Sequence, residues 1–276
     1  MAITIQTNIS SLETQKSLNK TQSALNKNFS RLSSGYRINT AADDAAGLAI
    51  SESMKIQIRS YVVAERNAND ALSMTQTAES VLGEMSDILG RMRELAMQGA
   101  NGSMTDVDRG YLDTEFTALK EEMSRIQGSA KFNGRQLIAE TASNIIFQIG
   151  LNNTASDQIQ LTFGGLGLTN LLDATTNVAG STAANALNAL GRIDGALQTI
   201  STNLANYGAT MNRLEVSISS IQTMRLNLTA ANSRIRDVDV AQETAELSRN
   251  QILSQAGSSV LAQANQLPQL ALQLLK

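Results

Sequence analysis

The 276-residue chain contains no Cys, no His, no Trp and a single Pro. Without His or Cys, the commonest zinc, copper and iron sites are excluded, as is every catalytic triad built on an imidazole or thiolate. Without Cys there is no disulfide framework, so this is not a disulfide-stapled secreted module. With only four Tyr and five Phe, the core must be built from Leu, Ile, Val, Met and Ala. A net charge of −3 argues against a nucleic-acid binder. The N-terminus has no basic segment followed by an apolar run and a small-residue cleavage site, so any export is expected to use a route without a signal peptide. Residues 250–275 carry no charge, but eleven of these 26 are Asn, Gln or Ser, and Pro268 lies among them. That composition suits a helix meant for a protein partner and argues against membrane insertion.

What is present is helical periodicity. Ile193, Leu197, Ile200, Leu204, Tyr207, Met211, Leu214, Ile218 and Ile221 recur at alternating spacings of four and three, and the phase continues to Ile235, broken at Arg225 and Asn232. A second, Ala-rich seam runs through Ala64, Ala68, Ala71, Thr75, Ala78, Leu82, Met85, Leu89, Met92 and Ala96. A third, Leu112, Phe116, Leu119, Met123 and Ile126, follows Thr105, which has capping-box spacing to Asp108, and stops at Gly128. A helix over residues 193–235 is about 65 Å long, against roughly 48 Å for the diameter of a compact globule of this chain length. The expectation is therefore a mainly α protein, a long antiparallel helical rod over residues 45–236 with the third helix folded back near Gly102.

Between the helical halves the period drops to two. Phe147, Ile149 and Leu151, then Ile159, Leu161 and Phe163, flank a polar turn at 152–157 and predict a β-hairpin near 145–163. Asn133-Gly134 is a further turn signal. Residues 164–188, rich in Gly, Ala, Asn, Ser and Thr, read as a short loop joining the halves.

Both termini are amphipathic. Leu18, Leu25 and Leu32 lie seven apart with Phe29 beside them, and Ile5, Ile9 and Leu12 extend the face upstream. Leu253, Val260, Leu267 and Leu274 repeat the spacing at the other end, with Ala264 and Ala271 alongside. Residues 1–44 and 237–276 are expected to pair as a terminal coiled-coil domain. A lone two-helix pair leaves apolar surface wet, and burying one Leu is worth roughly 1.5–3 kcal/mol. The pair is therefore expected to stack with further copies and to order as it does so.

No cofactor or metal site is expected. Asp43-Asp44 has helix-start spacing from Thr40, which suits a cap better than a carboxylate pair. Asp106, Asp108 and Gly110 hint at a calcium loop, but Thr117 stands where its bidentate Glu belongs. Gly164, Gly165 and Gly167 do not complete a dinucleotide fingerprint. No catalytic motif is present, and the chain is not expected to be an enzyme.

The stretch LSSGYRINTAADDAAGLAIS (Leu32 to Ser51) closely resembles the N-terminal signature of bacterial flagellins. RIRDVDVAQETAELSRNQILSQAGSSVLAQANQLPQLALQLL, ending just before Lys276, is similar to their C-terminal signature, and RMRELAMQGANG and KFNGRQL also look like the family. The resemblance implies a structural subunit that polymerises with copies of itself into the extracellular flagellar filament for motility after type III export. It also implies that the terminal helices form the filament's inner tube, and that the 164–188 loop stands in place of large outer variable domains. Implied partners are filament cap and hook-junction proteins and an export chaperone on the C-terminal helix. The flagellin-sensing Toll-like receptor of animals is a further implied partner, through Arg91, Leu95 and Glu115. The alternatives are the hook–filament junction protein, which shares the terminal design, and a secreted non-flagellar adhesin or enzyme.

Overall fold

The computed structural model describes residues 7–273, with side chains through Gln266. The fold is mainly α, with six helices and two small antiparallel sheets. In chain order these are α1 (Ile9–Ser34), α2 (Ala45–Gly99), α3 (Asp106–Ser129), β1 (Lys131–Phe132), β2 (Arg135–Gln136), β3 (Ser143–Gln148), β4 (Gln158–Phe163), α4 (Thr169–Leu172), α5 (Ala184–Arg236) and α6 (Val240–Gln273). The chain divides into two compact units, Arg59–Arg225 and the residues flanking it on both sides.

In the central unit the Ala-rich seam of α2 is buried along its length, from Ala64 through Ala71, Ala78, Leu82 and Leu89 to Ala96. Its antiparallel partner α5 buries Ile193, Ile200, Tyr207, Leu214 and Ile221. Ion pairs fix the direction, Arg93 to Asp194 at 2.7 Å and Glu65 to Arg225 at 2.5 Å. The second of these explains how Arg225 interrupts the apolar seam without breaking the pairing. The seam is mostly Ala at its start and Leu and Met further along, in one core with Phe116, Met123 and Ile126 of α3. That helix folds back with Phe116, Met123 and Ile126 buried. It opens with the expected capping box, in which the Thr105 hydroxyl accepts from the Asp108 N–H and the Thr105 N–H donates to Asp108.

The hairpin pairs Ser143 with Phe163 and Gln148 with Gln158, and the alternating Ile159, Leu161 and Phe163 face the core. Its first strand ends before Ile149, earlier than the alternation predicts. The Asp157 carbonyl accepts from both the Ile149 and Gly150 N–H groups at 2.9 Å, curling the chain out of the ladder. A Cβ at Gly150 would overlap the Asp157 side chain. Asn133-Gly134 turns the smaller β1–β2 ribbon with φ of 48° and 79°, the left-handed pair that a type I′ turn requires.

The joining segment is more structured than its composition suggests. It carries α4, buries Leu166, Leu168, Leu171 and Val178, and gives way to α5 at Ala184. The few apolar residues among its Gly, Ser and Thr are enough to fasten it to the core.

In the flanking unit α1 and α6 pack against each other. The turn out of α1 is left-handed at Gly35 (φ 73°), and its carbonyl accepts from the Val238 N–H at 3.0 Å. The Arg37 N–H donates to the Arg236 carbonyl at 2.6 Å, and the Arg236 guanidinium lies 4.5 Å over the Tyr36 ring and pairs with Glu52 at 2.5 Å. Thr40 and Asp43 close a turn, while the cap of α2 is Asp44, whose side chain accepts from the Gly47 N–H at 2.8 Å.

Candidate assembly and recognition surfaces

The paired faces of the terminal helices follow heptad spacing, through Ser11, Thr14, Leu18, Thr21, Leu25 and Asn28 on α1 and Glu243, Leu247, Asn250, Ser254, Gly257, Leu261 and Ala264 on α6. Most of these residues are small or polar. Leu18 packs over Gly257, where a Cβ would approach it to 3.3 Å. Near the N-terminus of α1 the Asn8 amide donates to the Ala264 carbonyl at 2.7 Å, and the Ser11 hydroxyl donates to Asn265 at 2.7 Å.

The predicted seam residues divide between this interface and the outer surface. Leu25 is buried, while Leu18 and Leu32 are half-buried. Ile9, Leu12, Phe29, Leu253 and Val260 are all exposed, as is Ile252. On α6 the reason is phase: Leu253 and Val260 each stand one residue before Ser254 and Leu261, which face α1. Leu253, Ala256 and Val260 instead line an open groove of about 520 Å³ whose other wall is Ser10, Glu13, Thr14, Ser17 and Thr21 of α1. Ile5, Leu274 and the side chain of Leu267 lie outside the described residues.

Sequence periodicity overlooked a polar cluster inside this pair. Asn28 is 3 % exposed and donates its amide to Glu243, itself 5 % exposed, at 2.6 Å. The Asn250 amide donates to the Asn28 side-chain oxygen at 3.0 Å, and Arg31 lies 3.6 Å from the Glu243 carboxylate.

In the central unit Arg91 bridges two helices, donating to Glu115 of α3 at 2.8 Å and to Glu94 at 2.9 Å. Its guanidinium is held above the usual range chiefly by the Glu115 hydrogen bond, and the same bond holds the Glu115 carboxyl below its usual value. Both side chains are about half exposed, 50 % and 47 %. Leu95, one turn on, is 1 % exposed and belongs to the core. Arg91 and Glu115 thus share one surface, while Leu95 is buried in the core.

A second group of cations, also absent from the sequence reading, fastens the joining segment. Buried Arg109 donates to the carbonyls of Gly99 at 2.8 Å, Asn101 at 3.2 Å and Gly180 at 3.3 Å. Lys120 donates to the Asp173 and Thr176 carbonyls at 2.7 and 2.9 Å, with its pKa pushed down mainly by burial. Arg192 donates to the Asn170 carbonyl at 2.5 Å, and Asp113 accepts the Val178 N–H at 2.8 Å. Tyr207, packed 5.5 Å from Phe163, has its hydroxyl pushed up to about 12 by burial. No group of three or more potential metal ligands occurs among the described residues. None of the described helices is long and apolar enough to cross a membrane.

Known proteins match this chain over most of its length. The family model for the bacterial flagellin N-terminal helical region matches residues 5–143, and that for the C-terminal helical region matches residues 190–275. The chain is 41% identical over 272 residues to a flagellin of Halalkalibacterium halodurans, covering 99% of both chains. It is 40% identical over 286 residues to the flagellar filament 33 kDa core protein of Treponema phagedenis, again covering 99% of each. A solved structure of a putative flagellar hook-associated protein from Vibrio parahaemolyticus shares the fold, with a TM-score of 0.60 at 15% identity over 71% of this chain and 100% of that one.

Proposed function

The chain belongs to the bacterial flagellin family and is a structural, non-enzymatic subunit of the flagellar filament, and we propose that its α1–α6 pair is the element that stacks and orders on polymerisation. The observation that carries this reading is the division of the terminal apolar residues. The faces that meet within one chain are mostly small or polar, while Ile9, Leu12, Phe29, Leu253 and Val260 remain exposed. Burying each such side chain fully against a neighbouring copy contributes roughly 1.5–3 kcal/mol, and a filament repeats that gain on every subunit. Residues 1–44 with 237–276 then serve as the inner tube and residues 45–236 as the surrounding rod, outside the cell, after export by the type III route. The 164–188 segment holds the place of outer domains.

The same exposed face on α6 suits an export chaperone, which would cover Leu253 and Val260 and block premature stacking. Filament cap and hook-junction proteins would meet the terminal pair at the two ends of the polymer. The surface carrying Arg91 and Glu115 is assigned to the animal flagellin-sensing Toll-like receptor, with Leu95 supporting it from the core. Seeded growth of concentrated protein, followed by electron microscopy, tests the assembly reading. Long filaments are expected, and protein that stays monomeric would contradict it.

A further inference from the structure

We propose that Asn101 is a site of spontaneous covalent modification, converting with time to isoaspartate, while the chain's other Asn-Gly pair, Asn133-Gly134, is protected by its fold. In such a pair the Gly backbone nitrogen can attack the Asn side-chain amide, because no Cβ blocks its approach. Both pairs have the composition for this reaction. Their surroundings differ.

Asn101 and Gly102 lie between α2 and α3, both exposed, and a Cβ at Gly102 would meet nothing within 4 Å. The Gly102 N–H is engaged by no described residue. The Ser103 N–H donates to Asn101 Oδ1 at 3.1 Å, which folds the side chain over the Gly102 peptide. When the Gly102 nitrogen attacks Cγ, negative charge develops on that same oxygen, and the Ser103 N–H is a donor already aimed at it.

In the first step the Gly102 nitrogen gives up its proton and bonds to Cγ. The Cγ–Nδ2 bond breaks, and Nδ2 leaves as ammonia. Water then adds to the Asn101 main-chain carbonyl carbon of the resulting succinimide and breaks its bond to the Gly102 nitrogen. The chain now runs through Cγ, and the former carbonyl is a free carboxylate. Its oxygen already accepts from the Arg109 guanidinium and from the Met104 N–H, each at 3.2 Å. Those donors polarise the carbon that water attacks, and the product gives Arg109 an ionised acceptor in place of a neutral one.

Asn133 is held differently. With Gly134 it keeps φ values of 48° and 79° in the turn between β1 and β2. Ring closure needs the Gly nitrogen swung back beside the Asn Cβ, which the left-handed backbone of a type I′ turn opposes. The turn is fastened at its base, where the Leu137 N–H donates to the Ala130 carbonyl at 2.9 Å and Phe132 packs against the core. The inference does not depend on how the chain assembles, since the reacting atoms all belong to one loop.

Trypsin places the two Asn in different peptides, residues 94–109 and 132–135. The purified full-length chain is held at mildly alkaline pH, digested at intervals and analysed by mass spectrometry for the amide-to-acid mass gain. An isoaspartyl-specific methyltransferase identifies the product. Conversion is expected to be at least fivefold faster at Asn101 than at Asn133, with isoaspartate the main product. In urea, where neither turn survives, the two rates should come together. Ser103→Pro removes the donor to Oδ1 and is expected to slow Asn101 at least threefold without changing Asn133. A smaller ratio in the folded chain, a ratio that persists in urea, or an undiminished Asn101 rate in Ser103→Pro chains that melt normally would overturn the proposal.

Discussion

Arg109 of α3 donates its Nε–H to the Gly99 carbonyl at the end of α2, at 2.8 Å. A cation at a helix C-terminus satisfies orphan carbonyls and complements the helix dipole, and Arg109 extends the same grip to Gly180 in the joining segment. Its burial at 4 % exposure makes substitution costly. Arg109→Met is expected to destabilise the central unit by about 2–4 kcal/mol, because buried carbonyls lose charged donors. Urea unfolding followed by circular dichroism measures this, and a change under ~0.5 kcal/mol would show that the clamp is idle.

Gly99 is tied to the same corner by space. A Cβ there would run into Val178 Cγ1, so Gly99→Ala should cost about 1–3 kcal/mol through overpacking. Val178→Ala in the same chain should restore part of that loss, giving a coupling in the double-mutant cycle. Additive effects would mean that the two residues do not meet as described.

These two residues also mark where sequence reading stopped. The α2 seam was legible because its heptad positions are nearly all Ala, Leu or Met, and every residue from Ala64 to Ala96 on it is buried. The hairpin and the Thr105 cap were legible from alternation and spacing. Arg109 was not, because an arginine on a helix ordinarily marks a solvated face and only tertiary folding brings three carbonyls around it. Asn28 and Glu243 were hidden for the same reason, as polar residues at positions where a seam is sought among apolar ones. Leu253 and Val260 form a stripe legible from their spacing, but a repeat of seven fixes only a line along the helix. Which line faces α1 was decided by Gly257 and Ala264, whose small side chains admit the neighbour.

The proposed receptor surface separates by depth. Arg91→Asp is expected to reduce signalling by the purified monomer at least tenfold with little change in melting, since it removes an exposed bridge to Glu115. Leu95→Ala should act instead through a cavity costing about 2–5 kcal/mol, with signalling lost in proportion to unfolding. A reporter assay alongside thermal melts distinguishes the two. Full signalling by Arg91→Asp would contradict the assignment.

Acid should loosen the start of α3 and the turn that precedes α2. The Asp108 carboxyl is held below its usual range by the Thr105 hydroxyl and N–H, and Asp43 by the Thr40 N–H. Because the folded values are depressed, their contribution is complete above the unfolded carboxylate pKa of about 4. It is lost as pH falls through the lower folded values. The chain should therefore lose stability below about pH 4, and Asp108→Asn should show a shallower loss. An identical pH slope in that variant would show that the cap does not titrate.

The central claim is that the outward apolar face of the terminal pair drives filament growth. Seeded polymerisation of a Leu253→Asp/Val260→Asp chain, followed by light scattering and electron microscopy with melting of the central unit monitored in parallel, tests it most directly. The account predicts no elongation with the central unit melting unchanged, as it does for removal of the last ~20 residues, a whole heptad-scale stretch of this seam. Normal filaments from the doubly charged chain would contradict it.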